Sequence, residues 1–145
     1  MRKKIISWGL LIIWMGVIFS FSSMVSDNST NTSYKLTDVI VSIISKENKT
    51  DEVTRGNINF VIRKSAHFTE YLILAILTFN VLSLYPLAMR KKIIICILFG
   101  LLYAISDEYH QIYVSGRTAQ LRDIIIDFMG VLIGTLGFYK LKEKK

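Results

Sequence analysis

Long apolar runs alternate with short charged connections along this chain, and the alternation predicts helices that cross a membrane. Ile5 to Phe21 carries no charge over 17 residues; as a helix it covers about 25 Å at 1.5 Å per residue. It forms the first expected span, 5–21. A cleaved signal peptide is the rival reading, disfavoured by the length of the run and by the lack of an A-x-A site after it. The Ser-, Asn- and Thr-rich segment 22–33 marks an exit into solvent, and Asn28, Asn31 and Asn48 each begin an N-x-S/T sequon. Leu36, Val39, Ile40, Ile43 and Ile44 then recur at helical spacing opposite Lys35, Asp38 and Ser42. A short amphipathic helix is expected there, on the membrane surface or capping the bundle.

The second span, 58–85, ends at Pro86, and Arg90, Lys91 and Lys92 form a basic turn. The next apolar run, Ile93 to Ile105, has 13 residues, too few for about 30 Å of hydrocarbon. The third span therefore extends into the polar stretch SDEYHQIYV, giving 92–113. The fourth, 121–139, leads to a tail containing Lys140, Lys142, Lys144 and Lys145. The expected fold is a single all-α domain, 1–145: a four-helix transmembrane bundle with a short extracytoplasmic amphipathic helix between the first two spans.

Composition supports a membrane protein, since 52% of the 145 residues are hydrophobic and only one is proline. Cys96, the single cysteine, excludes an internal disulfide and says nothing about redox compartment. The formal charge of +7 is unevenly spread. The N-terminus, the Arg90 to Lys92 turn and the C-terminal tail hold ten Lys/Arg against one acid, Glu143, while the rest of the chain holds eight against ten. The positive-inside rule places both termini in the cytosol. Three basic clusters beside the bilayer also account for the high pI through attraction to anionic lipid, so no nucleic-acid partner is called for.

The polar residues inside the spans carry the candidate chemistry. In RKSAHFTEY, Arg63 to Tyr71, the residues Lys64, His67, Glu70 or Tyr71, and Leu74 share one helix face, with Phe68, Leu72 and Ile73 looking elsewhere. Ionisable groups are costly in hydrocarbon, so His67 and Glu70 are expected to face protein or a water-filled pocket. Asp107 or Glu108 with Gln111 repeats at i, i+3/i+4, and Asp123 with Asp127 at i, i+4. The latter stripe runs on to Gly130 and Gly134, a G-x-x-x-G that admits a neighbouring backbone. Counted from Tyr85, Lys92 and Lys140, the carboxylates of Glu70, Asp107 and Asp127 lie 15, 15 and 13 residues away. At 1.5 Å per residue these are depths of roughly 20 to 22 Å, one level in the outer third of the bundle. His110 and Tyr113 read as interfacial residues, and Tyr139 with Lys140 as a cytosolic anchor.

The blocks RKSAHFTEY, SDEYHQIYVSGR and DIIIDFMGVLIG, with FSFSS closing the first span, resemble the VanZ-like family of small bacterial membrane proteins. In that family R-K-x-x-H-F-x-E-Y opens one helix, D-E-x-x-Q closes the next, and G-R and then D-x-x-x-D/N-x-x-G follow. This chain has Asp127 where other members often carry Asn. The resemblance covers nearly the whole chain. It implies a polar site of Arg63, Lys64, His67, Glu70, Tyr71, Asp107, Glu108, Gln111, Arg117, Asp123 and Asp127. The family takes its name from an accessory protein conferring low-level teicoplanin resistance, which implies action on, or shielding of, a lipid-linked cell-wall precursor.

Four functions remain open on these residues. Arg63, Lys64 and Arg117 could hold an anionic headgroup such as a pyrophosphate. His67 or Glu70 could act as a general acid or base in a membrane enzyme, although no nucleophile motif accompanies them. The buried carboxylates and His67 could relay protons in a transporter, against which stand four short spans without a repeat. Alternatively the charges pair among themselves and fix the packing. His67, Glu70 and Asp107 could in principle ligate a divalent ion, but H-x-x-E falls short of H-E-x-x-H, and neither a metal nor a cofactor is assigned. The residues name no oligomeric state.

Overall fold

In the computed structural model, residues 1–23, 37–39, 52–115, 117 and 119–143 are described. Four long helices account for most of them: α1 (Arg2–Ser22), α2 (Glu52–Ser83), α3 (Met89–Gln111) and α4 (Leu121–Glu143). Strands are absent among the described residues. Each helix outruns the apolar stretch that predicts it. Backbone hydrogen bonding continues past the lipid-soluble residues, so α2 begins at Glu52, before the expected span start at 58. It stops at Ser83, and a turn through Tyr85 leads to Pro86, whose ring disfavours helical geometry in the residue before it.

Consecutive helices run antiparallel. Trp8 of α1 donates to the Tyr85 hydroxyl at 3.0 Å, and Trp14 donates to the Glu70 carbonyl at 2.9 Å. Cys96 of α3 donates to the Ala75 carbonyl of α2 at 3.3 Å, while Tyr103 lies 6.2 Å from the ring of Tyr71. Thr135 of α4 donates to the Cys96 sulfur at 3.3 Å, and Gly100 faces Val131. In consequence α2 and α4 are parallel, and they share the most extensive interface in the molecule.

Side-chain periodicity explains which faces meet. Helix α1 is apolar all round and buries only Leu11, Ile18 and Ser22, leaving residues such as Ile5, Ile12, Ile13 and Phe19 exposed. That distribution suits a helix bathed in lipid. On α3, Cys96, Gly100, Ala104, Asp107, Glu108 and Gln111 form one buried stripe at i, i+3/i+4. The core proper is built on α2, where Tyr71, Leu74, Ala75 and Phe79 are at most 1% exposed.

Three described helices are long and apolar enough to cross a membrane: Arg2–Ser22, the Thr54–Ser83 part of α2, and Leu121–Lys142 of α4. Helix α3 is not among them; its apolar run 93–105 is bracketed by Arg90 to Lys92 and by Asp107 with Glu108. Of the expected amphipathic helix, only residues 37–39 are described, and these are helical; the rest of that segment and all three sequons lie outside the described residues. Asp38 pairs with Arg55 of α2 at 2.5 Å, an exposed bridge.

Candidate functional site

The N-terminal halves of α2 and α4, the C-terminal end of α3 and the end of α1 enclose a cluster of charged side chains. Parallel packing brings α2 and α4 into a register in which Lys64 bonds Asp123 and, one turn on, His67 faces Asp127. The Lys64 and Asp123 side chains are 15% and 9% exposed, so this ion pair is largely removed from water. Phe60, a turn earlier, lies beneath two cations, with Lys64 Nζ 5.4 Å and Arg122 Cζ 5.7 Å from its ring centre.

His67 Nδ1 approaches Asp127 Oδ1 to 3.5 Å, too far for a good hydrogen bond. Asp127 is fully buried, and both of its carboxylate oxygens lack a hydrogen-bond partner. The Tyr71 hydroxyl is buried in the same condition. Glu70, half-buried, is within electrostatic reach of His67, Asp127, Asp107 and Arg117. From α3, Asp107 accepts from Gln111 Nε2 at 3.4 Å and lies beside Ser22. Glu108 turns the other way: its Oε1 accepts the Gln120 backbone N–H at 2.5 Å, tying α3 to the residue before α4.

The connection between α3 and α4 delivers Arg117 to this end of the bundle. Its Nη2 donates to the Phe21 carbonyl near the end of α1 at 3.2 Å. Burial, followed by the adjacent positive charge of Arg63, lowers the Arg117 guanidinium from its ordinary value. Arg117 is thus within electrostatic reach of Arg63 and of Asp107, Glu108 and Glu70. Gly116 of the G-R pair lies outside the described residues.

The structure therefore places Arg63, His67, Glu70, Tyr71, Asp107, Asp127 and Arg117 around one region. Lys64 with Asp123 forms one flank, and Glu108 reaches the neighbouring loop. Asp107 and Glu108 are both buried, rather than one facing inward at the other's expense. The α2 face differs from the simplest expectation, because Phe68 and Leu72 also lie against α4: Gly130 sits on the Phe68 carbonyl, and Gly134 on that of Leu72. Successive contacts on α2 fall four residues apart, so the ridge drifts around the helix. Ser22, Trp14 and Tyr103 join this end without having been singled out. Ser22 had the clearest signal, as a hydroxyl in the polar end of the first apolar run. His110 stacks on Phe19 with ring centres 4.5 Å apart and hydrogen-bonds Ser23 at 3.1 Å. Among the described residues no three His, Cys, Asp or Glu converge closely enough to hold a metal ion.

An all-helical chain with membrane-length apolar helices and a charged cluster buried at one end defines a class of integral membrane protein. A model of the family described as VanZ/LLP1 matches residues 7–142, nearly the whole chain, and the protein belongs to that family. No curated protein matches it. No solved structure does either.

Proposed function

We propose that this protein recognises an amphiphilic, lipid-linked substrate of the cell envelope, with the headgroup at the charged end of the bundle. The observation that carries the reading is that the loop between α3 and α4 brings Arg117 to the charged end of the bundle, bonded to the Phe21 carbonyl and within electrostatic reach of Arg63 on α2. Asp107, Glu108 and Glu70 already lie within electrostatic reach of Arg117, and a phosphate or pyrophosphate headgroup is an anion that matches the planar fork of a guanidinium. Lys64, already engaged by Asp123, contributes less. A lipid-linked cell-wall precursor is the candidate substrate, and a contribution to teicoplanin-type resistance follows from shielding it.

This reading has all four helices crossing the bilayer. The 23 residues of α3 cover about 34 Å at 1.5 Å per residue. Ten Lys/Arg in the two tails and the α2/α3 turn put the termini in the cytosol and the polar cluster toward the outer leaflet. Cysteines introduced at Ser33 and Thr118 of a Cys96→Ser background should react with an impermeant maleimide in intact cells, and one at Lys142 should not. The opposite labelling pattern would overturn the outer-leaflet assignment.

Arg117→Lys tests the headgroup reading. It should lower binding of a polyprenyl pyrophosphate about tenfold or more, since an ammonium keeps the charge but loses the bidentate geometry, with membrane yield unchanged. Unchanged binding at unchanged yield would refute it. The facing of His67 on Asp127 favours one alternative, acid–base chemistry on the same substrate. In that case His67→Gln abolishes conversion of the bound lipid while leaving its retention intact.

A further inference from the structure

The charged end of the bundle is closed. Tyr71 and Asp127 are wholly buried, Asp107 is 5% exposed, and Ile18 and Ser22 of α1 are buried with them. A headgroup reaches this end only if helices part, and the seams differ in how readily they do. Helices α2 and α4 meet backbone to backbone at Gly130 and Gly134. Gly100 of α3 fits against Val131 of α4, and the buried Cys96 of α3 bonds both Thr135 and the Ala75 carbonyl. Parting any of these seams opens a void between closely fitted surfaces. Helix α1 is different: it buries three of its 21 residues, and its Gly9 and Gly16 have nothing within 4 Å of where a methyl would stand.

Long side chains fasten α1 to α3 and to the loop after it. Tyr103 donates to the Met15 carbonyl at 2.8 Å, and Arg117 Nη2 to the Phe21 carbonyl at 3.2 Å. His110 stacks on Phe19 and lies 3.1 Å from the Ser23 hydroxyl. That hydroxyl gives its hydrogen to the Phe19 carbonyl at 2.7 Å, so His110 Nε2 is the donor. Each fastening releases by rotation of one side chain. Arg117 is also the residue assigned to the headgroup, and a phosphate on its guanidinium outcompetes a neutral carbonyl. On its other side α1 is held to α2: Trp8 donates to the Tyr85 hydroxyl, Asn80 donates to the Ser7 hydroxyl at 3.2 Å, and Lys4 Nζ lies 4.6 Å from the Tyr85 ring centre. We propose that the seam between α1 and α3 is the lateral opening of the bundle. The end of α1 moves off His110 and Arg117 while its beginning stays hinged on α2. The headgroup enters, and the lipid tail remains in the bilayer between the two helices. The inference rests on reading the charged end as a headgroup site.

Two cysteine pairs in a Cys96→Ser background test the opening, each bridged by a short, reducible bis-methanethiosulfonate in the full chain reconstituted in nanodiscs. Ser23→Cys with His110→Cys fastens the opening end, and Ser7→Cys with Asn80→Cys fastens the hinge. Bridging the first pair should lower binding of a polyprenyl pyrophosphate about tenfold or more, and reduction should restore it; bridging the second should change binding less than about twofold. His110→Ala needs no bridge and decides the matter if the cysteine variants fold poorly. Removing one fastening weakens the closed state, so apparent affinity should rise about two- to tenfold, the worth of one hydrogen bond. A residue with a merely structural role would lower affinity or leave it alone. Equal binding with and without the Ser23/His110 bridge, or no gain in His110→Ala, overturns the opening, and the headgroup reading still stands if Arg117→Lys lowers binding. Loss from both bridges overturns the placement of the hinge and the opening. No binding by the wild-type chain overturns the headgroup reading and the opening together.

Discussion

The two halves of the α2/α4 seam are held together by opposite means. Toward the N-terminal ends the helices meet through charge, Lys64 with Asp123 and His67 with Asp127. Toward the C-terminal ends they meet through near-absence of side chain and then through rings: Gly130 on the Phe68 carbonyl, Gly134 on the Leu72 carbonyl, and Phe79 edge-on to Phe138 at 5.7 Å. The difference teaches how a small membrane protein can keep charged groups inside its bundle. Close backbone packing at one end fixes the register without electrostatics, so the charges at the other end need not satisfy one another completely. Asp127, whose nearest cation is His67 at 3.5 Å, lies one turn from the Gly130 contact on the Phe68 carbonyl.

The largest effect should come from breaking the charged half. Lys64→Met leaves Asp123 largely buried without its cation, which typically costs about 3 to 5 kcal/mol. Folded protein in the membrane, measured as detergent-stable yield, should drop sharply. Adding Asp123→Leu should recover most of the loss, because replacing both members of a buried pair by apolar groups is often neutral. If Lys64→Met alone leaves the yield unchanged, the ion pair contributes no stability and the charged half is purely functional.

The glycine half should give way next. A methyl at position 130 meets the Phe68 carbonyl oxygen and the Leu72 backbone nitrogen, neither of which can rotate aside. Gly130→Ala should therefore cost about 3 kcal/mol, the upper part of the range for overpacking. Gly100→Ala tests the α3/α4 contact in the same way: its methyl meets both Val131 methyls at 2.6 Å, and a buried β-branched side chain has little rotamer freedom to yield. Its loss of thermal stability in detergent should be of similar size, about 1 to 3 kcal/mol. An unchanged melting temperature would mean that α3 and α4 can separate slightly at no cost.

Part of this contrast is legible in the residues alone. A period of 3.6 puts Asp123, Asp127, Gly130 and Gly134 on one face, and all four are buried. Apolar runs mark the helices because hydrocarbon demands backbone hydrogen bonds satisfied within each segment. They do not mark helix ends, which is why α2 starts at Glu52 and α4 continues to Glu143. Partner choice is also hidden. That Lys64 meets Asp123 depends on the register between two parallel helices joined through α3, a distance constraint that no local pattern encodes. Glu108 illustrates the same limit, since its neighbour in structure, the Gln120 N–H, belongs to a loop with no periodicity.

The smallest effect, with the opposite sign, belongs to Gly137. It lies one turn beyond Gly134 on α4, yet a methyl there meets nothing within 4 Å, and the residue is exposed. Packing therefore gives no reason for glycine at this position. Replacing it by alanine removes the backbone freedom that glycine loses on forming a helix, a gain of under about 1 kcal/mol. Gly137→Ala should raise the detergent melting temperature slightly while leaving lipid retention unchanged. A loss of stability comparable to that of Gly130→Ala would show that the close α2/α4 contact extends a turn further than the glycine contacts indicate, or that a second copy of the chain packs on this face. Concentration-dependent melting would separate the two, since only the second depends on association.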